Sequence, residues 1–241
     1  MARLPILMYH NISLNPDHSI GLTLSQQKFE EQLQYLSTNQ FQSFFVSDLE
    51  NKKEIPSKSV LLTFDDVTVN QLLYAYPLLV KYNFKATFFI PFAYLGKTDL
   101  WNKGVDATGE TIMTLEQLKV LDPNVIQLAH HSFEHHKYSE MSEEAIQKDF
   151  DQCFDLIKEH QLQVYPALAY PYGNYPKSNP QKEQFFKLLE KNAIKFAFRI
   201  GNRLSTFPFK NHFEIQRIDV KGEDSLMKFK LKLRFGKLKL F

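Results

Sequence analysis

The chain's 241 residues suffice for one sizeable core and lie close to the about 250 of a (β/α) barrel. Its 29 basic and 27 acidic residues leave a net charge of +2, so no nucleic-acid partner is expected. A single cysteine, Cys153, excludes an internal disulfide, and no apolar run is long enough to span a membrane.

The opening Met1-Ala2-Arg3-Leu4-Pro5-Ile6 lacks the charged-then-apolar pattern of a secretion leader. A soluble chain is expected on that basis, cytoplasmic or peripheral to the inner face of the membrane. Ile6–Tyr9 reads as a strand that ends at His10. Residues 25–37 carry Phe29, Leu33 and Leu36 at helical spacing, with Ser25 placed to cap the first turn. A strand is expected over 41–46, followed by a capping box of Ser47 and Glu50. The run 60–64 has the unbroken apolar character of a buried parallel strand. Residues 72–81 read as a helix with Pro77 inside, which calls for a kink or a late start.

Ala86–Ile90 is an aromatic-rich strand, and Thr114 with Gln117 forms a second capping box. A strand follows over 125–129, then the clearest helix, 142–160, with Ile146, Phe150, Cys153 and Ile157 on one face. Val164–Ala169 is the next strand, 180–192 the next helix, and 196–199 and 215–220 are strands. Alternation of strands and helices without a linker predicts one α/β domain with parallel pairing. Its bounds are read as 1–225, with 226–241 a tail. Within that tail Met227, Phe229, Leu231, Leu233 and Phe235 alternate with Lys228, Lys230, Lys232 and Arg234, a strand period. As a helix it mixes the two faces, though Leu226, Phe229 and Leu233 remain able to dock on the body. Docking is the default reading; peripheral contact with an anionic membrane is the other.

Three clusters carry chemistry. The first is Asp65-Asp66, immediately after strand 60–64, where open and closed α/β sheets build their sites. Adjacent side chains on extended backbone point apart, so one carboxylate can hold a metal while the other handles a proton. The second is His130-His131-Ser132-Phe133-Glu134-His135-His136, again just past a strand. His131 and His135, four apart, can reach one ion from a helical turn or a tight loop, and imidazoles with a carboxylate suit zinc or a similar divalent ion. Three protein ligands leave a position for water, as catalytic zinc requires. His130 and His136 are expected to support the site or stand exposed, and Glu134 to be an exposed loop carboxylate or to orient a ligand. The third is Tyr170-Pro171-Tyr172-Gly173, a turn in which Pro171 fixes one backbone angle and Gly173 permits an unusual one.

The ordered set Thr63-Phe64-Asp65-Asp66, His131-Ser132-x-x-His135 and Tyr170-Pro171-Tyr172-Gly173 resembles the polysaccharide deacetylase family, the NodB homology domain of carbohydrate esterase family 4. Ile6-Leu7-Met8-Tyr9-His10, Ala75-Tyr76-Pro77-Leu78-Leu79 and Phe84-Lys85-Ala86-Thr87-Phe88-Phe89 strengthen it, and the likeness runs from about residue 4 to about residue 220. The resemblance implies a distorted (β/α) barrel and metal-dependent removal of N-acetyl groups from an amino-sugar poly- or oligosaccharide. It implies Asp66, His131 and His135 as ligands of Zn, or of Co, Ni or Mn. Asp65 would be the base and the Tyr172 amide the oxyanion donor.

Family members often carry the proton donor in a late Leu-x-His motif, and 215–220 holds no histidine. The chain is similar instead to the branch acting on poly-N-acetylglucosamine, in which the motif is permuted to the N-terminus, and this points to His10. Two further departures stand out. Val67 replaces the usual Gly after the Asp pair, and Ala169 replaces the Arg that orients the base. Trp101, the only tryptophan, is open to stacking on a sugar ring or to anchoring its loop. Two other functions stay open: a hydrolase of a non-sugar amide or ester, and a catalytically impaired glycan-binding module.

Overall fold

The computed structural model describes residues 2–101 and 109–236. Seven strands form the central sheet: β1 (Ile6–Tyr9), β2 (Ser59–Asp65), β3 (Ala86–Ile90), β4 (Ile126–His130), β5 (Val164–Ala169), β6 (Phe196–Ile200) and β7 (Ile215–Asp219). Every pairing among them is parallel, in the order β1, β7, β6, β5, β4, β3, β2. β2 then pairs back onto β1, with Ile6 opposite Leu61 and Tyr9 opposite Phe64, and closes the barrel. Seven strands in place of the usual eight make it the distorted (β/α) barrel that the family resemblance implies.

The expected strand over 41–46 shrinks to Gln42–Ser43, paired with Ser59 and Val60 at the start of β2. Beyond it Phe45 and Val46 are buried, and Asp48, not Ser47, supplies the turn's side-chain acceptor, taking the Phe45 amide at 2.9 Å. The Ser47–Glu50 capping box is therefore absent, and Ser47–Leu49 is a single 3₁₀ turn.

Side-chain alternation along the strands sorts the core. Leu61 of β2, Phe89 of β3, Ala129 of β4, Ala167 and Ala169 of β5 and Phe198 of β6 share an inner cluster. Leu7, Tyr9, Leu62, Phe64 and Phe88 point the other way and pack under α1 (Gln26–Thr38). That helix starts where expected, Ser25 accepting from the Lys28 amide, and buries Phe29, Leu33 and Leu36. Pro77 resolves into a late start: Gln71–Ala75 is a π-helical turn, and α2 (Tyr76–Lys81) carries the proline in its first turn, where no amide is needed. The Thr114–Gln117 capping box opens α3 (Leu115–Lys119). α4 (Glu143–His160) and α5 (Gln181–Lys191) bury Ile146, Phe150, Cys153, Phe185 and Leu189.

The tail departs from its strand period. Leu226–Phe235 is a helix, α6, capped by Ser225, with Phe229 and Leu233 buried one turn apart. Phe229 meets Tyr35 of α1 edge-on at 6.4 Å. The Lys232 ammonium is buried with them, bonded to the Asp219 carbonyl and paired with Asp224. Docking an i, i+4 apolar pair and a satisfied lysine on the body outweighs the two-faced ribbon. No helix among the described residues is long and apolar enough to cross a membrane.

Candidate metal centre and active site

The carboxyl ends of the parallel strands share one mouth, and the residues singled out from the sequence meet there. Asp65 ends β2, and Asp66 follows in a left-handed turn, φ 72°, continued by Val67 at φ 45°. His131 leaves the end of β4, and His135 returns from the next turn at φ 57°. Their Nε2 atoms lie 3.6 Å and 3.5 Å from the same oxygen, Asp66 Oδ1. The three candidate ligand atoms all fall within 4.8 Å of one another, and all three residues are buried. Tetrahedral zinc with bonds of about 2.1 Å separates its ligand atoms by about 3.4 Å, so this spacing fits one small ion.

The protonation states fit as well. His131 Nδ1 lies 2.8 Å from the Ala169 carbonyl, an acceptor, so Nδ1 carries the proton and Nε2 turns its lone pair inward. Burial pushes His131 down to about 4 and His135 down to about 2. Both are neutral near pH 7, the form that binds a metal.

Asp65 is held by a residue that motif reading passes over. Arg217 of β7 is 0% exposed and donates from both terminal nitrogens, 2.6 Å to each Asp65 oxygen. Its guanidinium lies 5.4 Å from the centre of the Phe89 ring. Burial alone would raise the Asp65 carboxyl, but Arg217, with His131 and His10, holds it well below the usual carboxylate range. The guanidinium absent at Ala169 of β5 is thus supplied from β7, two strands further round the barrel. Its signal in the sequence is an arginine between Ile215 and Ile218 in an inward strand, where arginine occurs only when paired. His10 Nε2 stands 3.8 Å from Asp65 Oδ2. Burial lowers the His10 pKa, while Asp65 and Asp219 pull it back up.

The Tyr172 turn faces this group. Tyr172 has φ 58°, and its half-exposed ring meets His135 edge-on, centroids 4.8 Å apart. Gly173 lies so close to Ile200 that a Cβ would come within 2.9 Å of it. Asp66, Val67, Ser132, His135 and Tyr172 are half of the ten non-glycine residues at positive φ among the described residues, all at this mouth. Strain on that scale is kept where a site over-determines the backbone.

The flanking residues separate. His130 is buried between Phe92 and Phe154, and burial pushes it down to about 4. His136 and Glu134 are exposed and face each other at 3.5 Å. Trp101 lies neither free nor remote: its indole stacks on His135 at 3.9 Å.

A parallel barrel with a buried carboxylate–imidazole cluster at its mouth defines the class. A family model for polysaccharide deacetylases matches residues 52–189, and the chain belongs to that family, one of hydrolases acting on amide bonds. Poly-β-1,6-N-acetyl-D-glucosamine N-deacetylase of Staphylococcus epidermidis is 26% identical over 212 residues, 83% of this chain and 69% of that protein. YxkH of Bacillus subtilis is 28% identical over 200 residues, 81% of this chain and 64% of its own length. The chain thus spans about two thirds of these curated relatives, 64% of one and 69% of the other. In fold it is similar to IcaB from Ammonifex degensii, with TM-score 0.76, 21% identity, and coverage of 97% of this chain and 98% of that one. Streptococcus pyogenes deacetylase PplD, in complex with acetate, gives TM-score 0.74 at 23% identity, covering 96% of this chain and 98% of that one.

Proposed function

We propose that the protein is a metal-dependent hydrolase that removes N-acetyl groups from an amino-sugar poly- or oligosaccharide. The observation that carries the reading is the convergence of Asp66, His131 and His135 beside an Arg217-clamped Asp65. The relatives named for poly-N-acetylglucosamine deacetylation favour that substrate class.

Asp66 Oδ1, His131 Nε2 and His135 Nε2 would hold a divalent ion, zinc first by its preference for this donor set, with Co, Ni or Mn accepted by the same atoms. Such an ion, when bound, acidifies water and polarises the amide carbonyl. Asp65, ionised and fixed at both oxygens, takes the proton of the attacking water. The Tyr172 backbone amide donates to the carbonyl oxygen as charge gathers there. His10, whose Nε2 stands 3.8 Å from Asp65 Oδ2, gives a proton to the departing amine, so the C–N bond breaks to leave acetate and a free amino sugar.

The test is acetate release from N-acetylglucosamine oligomers by metal-stripped protein reloaded with Zn or Co. Metal-dependent release is expected, and Asp66→Ala loses bound metal and activity together. Activity without metal overturns the reading. Release from small amides or esters alone assigns a non-sugar hydrolase, and saturable sugar binding without release assigns a glycan-binding module.

A further inference from the structure

The two candidate imidazole ligands are held by different means. His131 is oriented by its Nδ1–H bond to the Ala169 carbonyl, 2.8 Å. His135 Nδ1 is buried and has no hydrogen-bond partner among the described residues. What His135 has is Trp101, whose indole lies over the imidazole, centroids 3.9 Å apart and planes 15° from parallel. Tyr94 stands perpendicular against the same indole, 4.6 Å away, and limits its sideways movement.

The described residues on either side of 102–108 tie Trp101 to the turn of the other candidate ligand, Asp66. Asp99 donates its amide to the Glu110 carbonyl at 2.9 Å, and its carboxylate accepts the Glu110 amide at 2.8 Å. The segment after Glu110 bonds the turn of Asp66, with the Met113 amide on the Val67 carbonyl, 2.9 Å, and the Val69 amide on the Thr111 carbonyl, 2.7 Å. Trp101 therefore spans the site: Asp99, two residues before it, is tied through residues 110–113 to the turn that carries Asp66, and the Trp101 ring ends on His135. A stack that close leaves the imidazole little freedom about χ2, and a positive φ of 57° at His135 gives its backbone few other ways to present Nε2.

We propose that Trp101 is the positioning residue of His135, holding the imidazole in the plane in which Nε2 faces Asp66 Oδ1. The proposal rests on the metal reading above. It assigns to an aromatic face the task that a hydrogen-bonded partner performs for most metal-bound histidines, whose loss typically weakens binding about 10–100-fold.

The experiment is calorimetric titration of the metal-stripped full chain with Zn²⁺ and Co²⁺. Wild type, Trp101→Leu, Trp101→Phe and Asp66→Ala are compared, with thermal melts as the folding control. Trp101→Leu should weaken metal binding at least about 10-fold and alter the visible absorption of the Co²⁺ form, while Trp101→Phe, which keeps a stacking ring, stays within about threefold of wild type. Equal affinity in wild type and Trp101→Leu, with binding lost in Asp66→Ala, overturns the positioning role and leaves the metal reading intact. Metal binding unaffected by Asp66→Ala overturns both. Because Trp101 is the only tryptophan, the unaltered chain supplies a second readout. One equivalent of Co²⁺ should quench its fluorescence saturably, and unchanged emission with metal bound overturns the proposal even where Trp101→Leu fails to fold.

Discussion

Both terminal nitrogens of Arg217 sit 2.6 Å from the two oxygens of Asp65, across a barrel interior that excludes water from the pair. A buried ion pair adds little net stability over an apolar one, yet removing one partner strands a charge and costs about 3–5 kcal/mol. Arg217→Met is therefore expected to destabilise the fold by that amount, and Asp65→Asn/Arg217→Met by clearly less than the sum of the singles. Urea unfolding of the four proteins checks it, and additive losses would refute the coupling. Arg217→Lys, with a single-point donor, should fold better than Arg217→Met while losing most activity, because Asp65 is no longer fixed at both oxygens.

Val67 makes an inverted prediction. It is fully buried and sits at φ 45°, a conformation that a β-branched residue adopts only under strain of about 1–3 kcal/mol. Ordinarily Gly is worse than Ala by roughly 0.5–1 kcal/mol inside regular structure. Here Val67→Ala loses packing and keeps most of the strain, whereas Val67→Gly loses slightly more packing and releases it. Val67→Gly should be the more stable of the two by chemical denaturation, and the ordinary ranking would show that no strain is stored in this turn.

Asp149 ties α4 to the histidine loop, accepting from the Phe133 amide at 2.9 Å and from the Tyr138 hydroxyl at 3.1 Å. Burial raises its carboxyl to about 6, and those hydrogen bonds only partly offset the rise. A folded pKa above the unfolded one favours the protonated form in the native state. Its contribution is complete below the unfolded value of 3.8 and is lost as pH climbs through about 6. Asp149→Asn cannot ionise, so its stability relative to wild type should improve between pH 4 and pH 7, by on the order of 2–3 kcal/mol. Urea midpoints across that range check it; parallel profiles for the two proteins would exclude the linkage.

The elements that sequence periodicity located are those with local determinants. Ser25 and Thr114 cap helices through bonds three residues away, and Ala86–Ile90 and Val164–Ala169 are strands because apolar, aromatic or β-branched residues run together. The site's three motifs are legible because each sits within a few residues of a strand end. What the sequence hides is set across the barrel. Arg217 reaches Asp65 over a separation of 152 residues, and Trp101 meets His135 from another loop. The strand expected over 41–46 fails for a related reason: Phe45 and Val46 find burial without strand pairing, which periodicity cannot distinguish from burial in a sheet.

The tail's strict alternation describes a ribbon, but Ser225 starts a helix that sends Phe229, Lys232 and Leu233 inward and leaves Met227, Leu231 and Phe235 outward, 65%, 36% and 47% exposed. Those three lie four residues apart along one stripe, with Lys230 and Arg234 beside it. Deleting the whole tail would uncover Phe229 and strand Asp224, so it confounds docking with any outward role. Gln at Met227, Leu231 and Phe235 together spares the buried side. Thermal stability is then expected to stay within about 0.5 kcal/mol per site, as for ordinary surface changes. If the stripe serves as a membrane-contact face, the same triple variant loses sedimentation with anionic vesicles, and wild-type binding falls as salt screens the basic residues. Equal pelleting of variant and wild type, or none by either, would leave the helix with docking as its whole function.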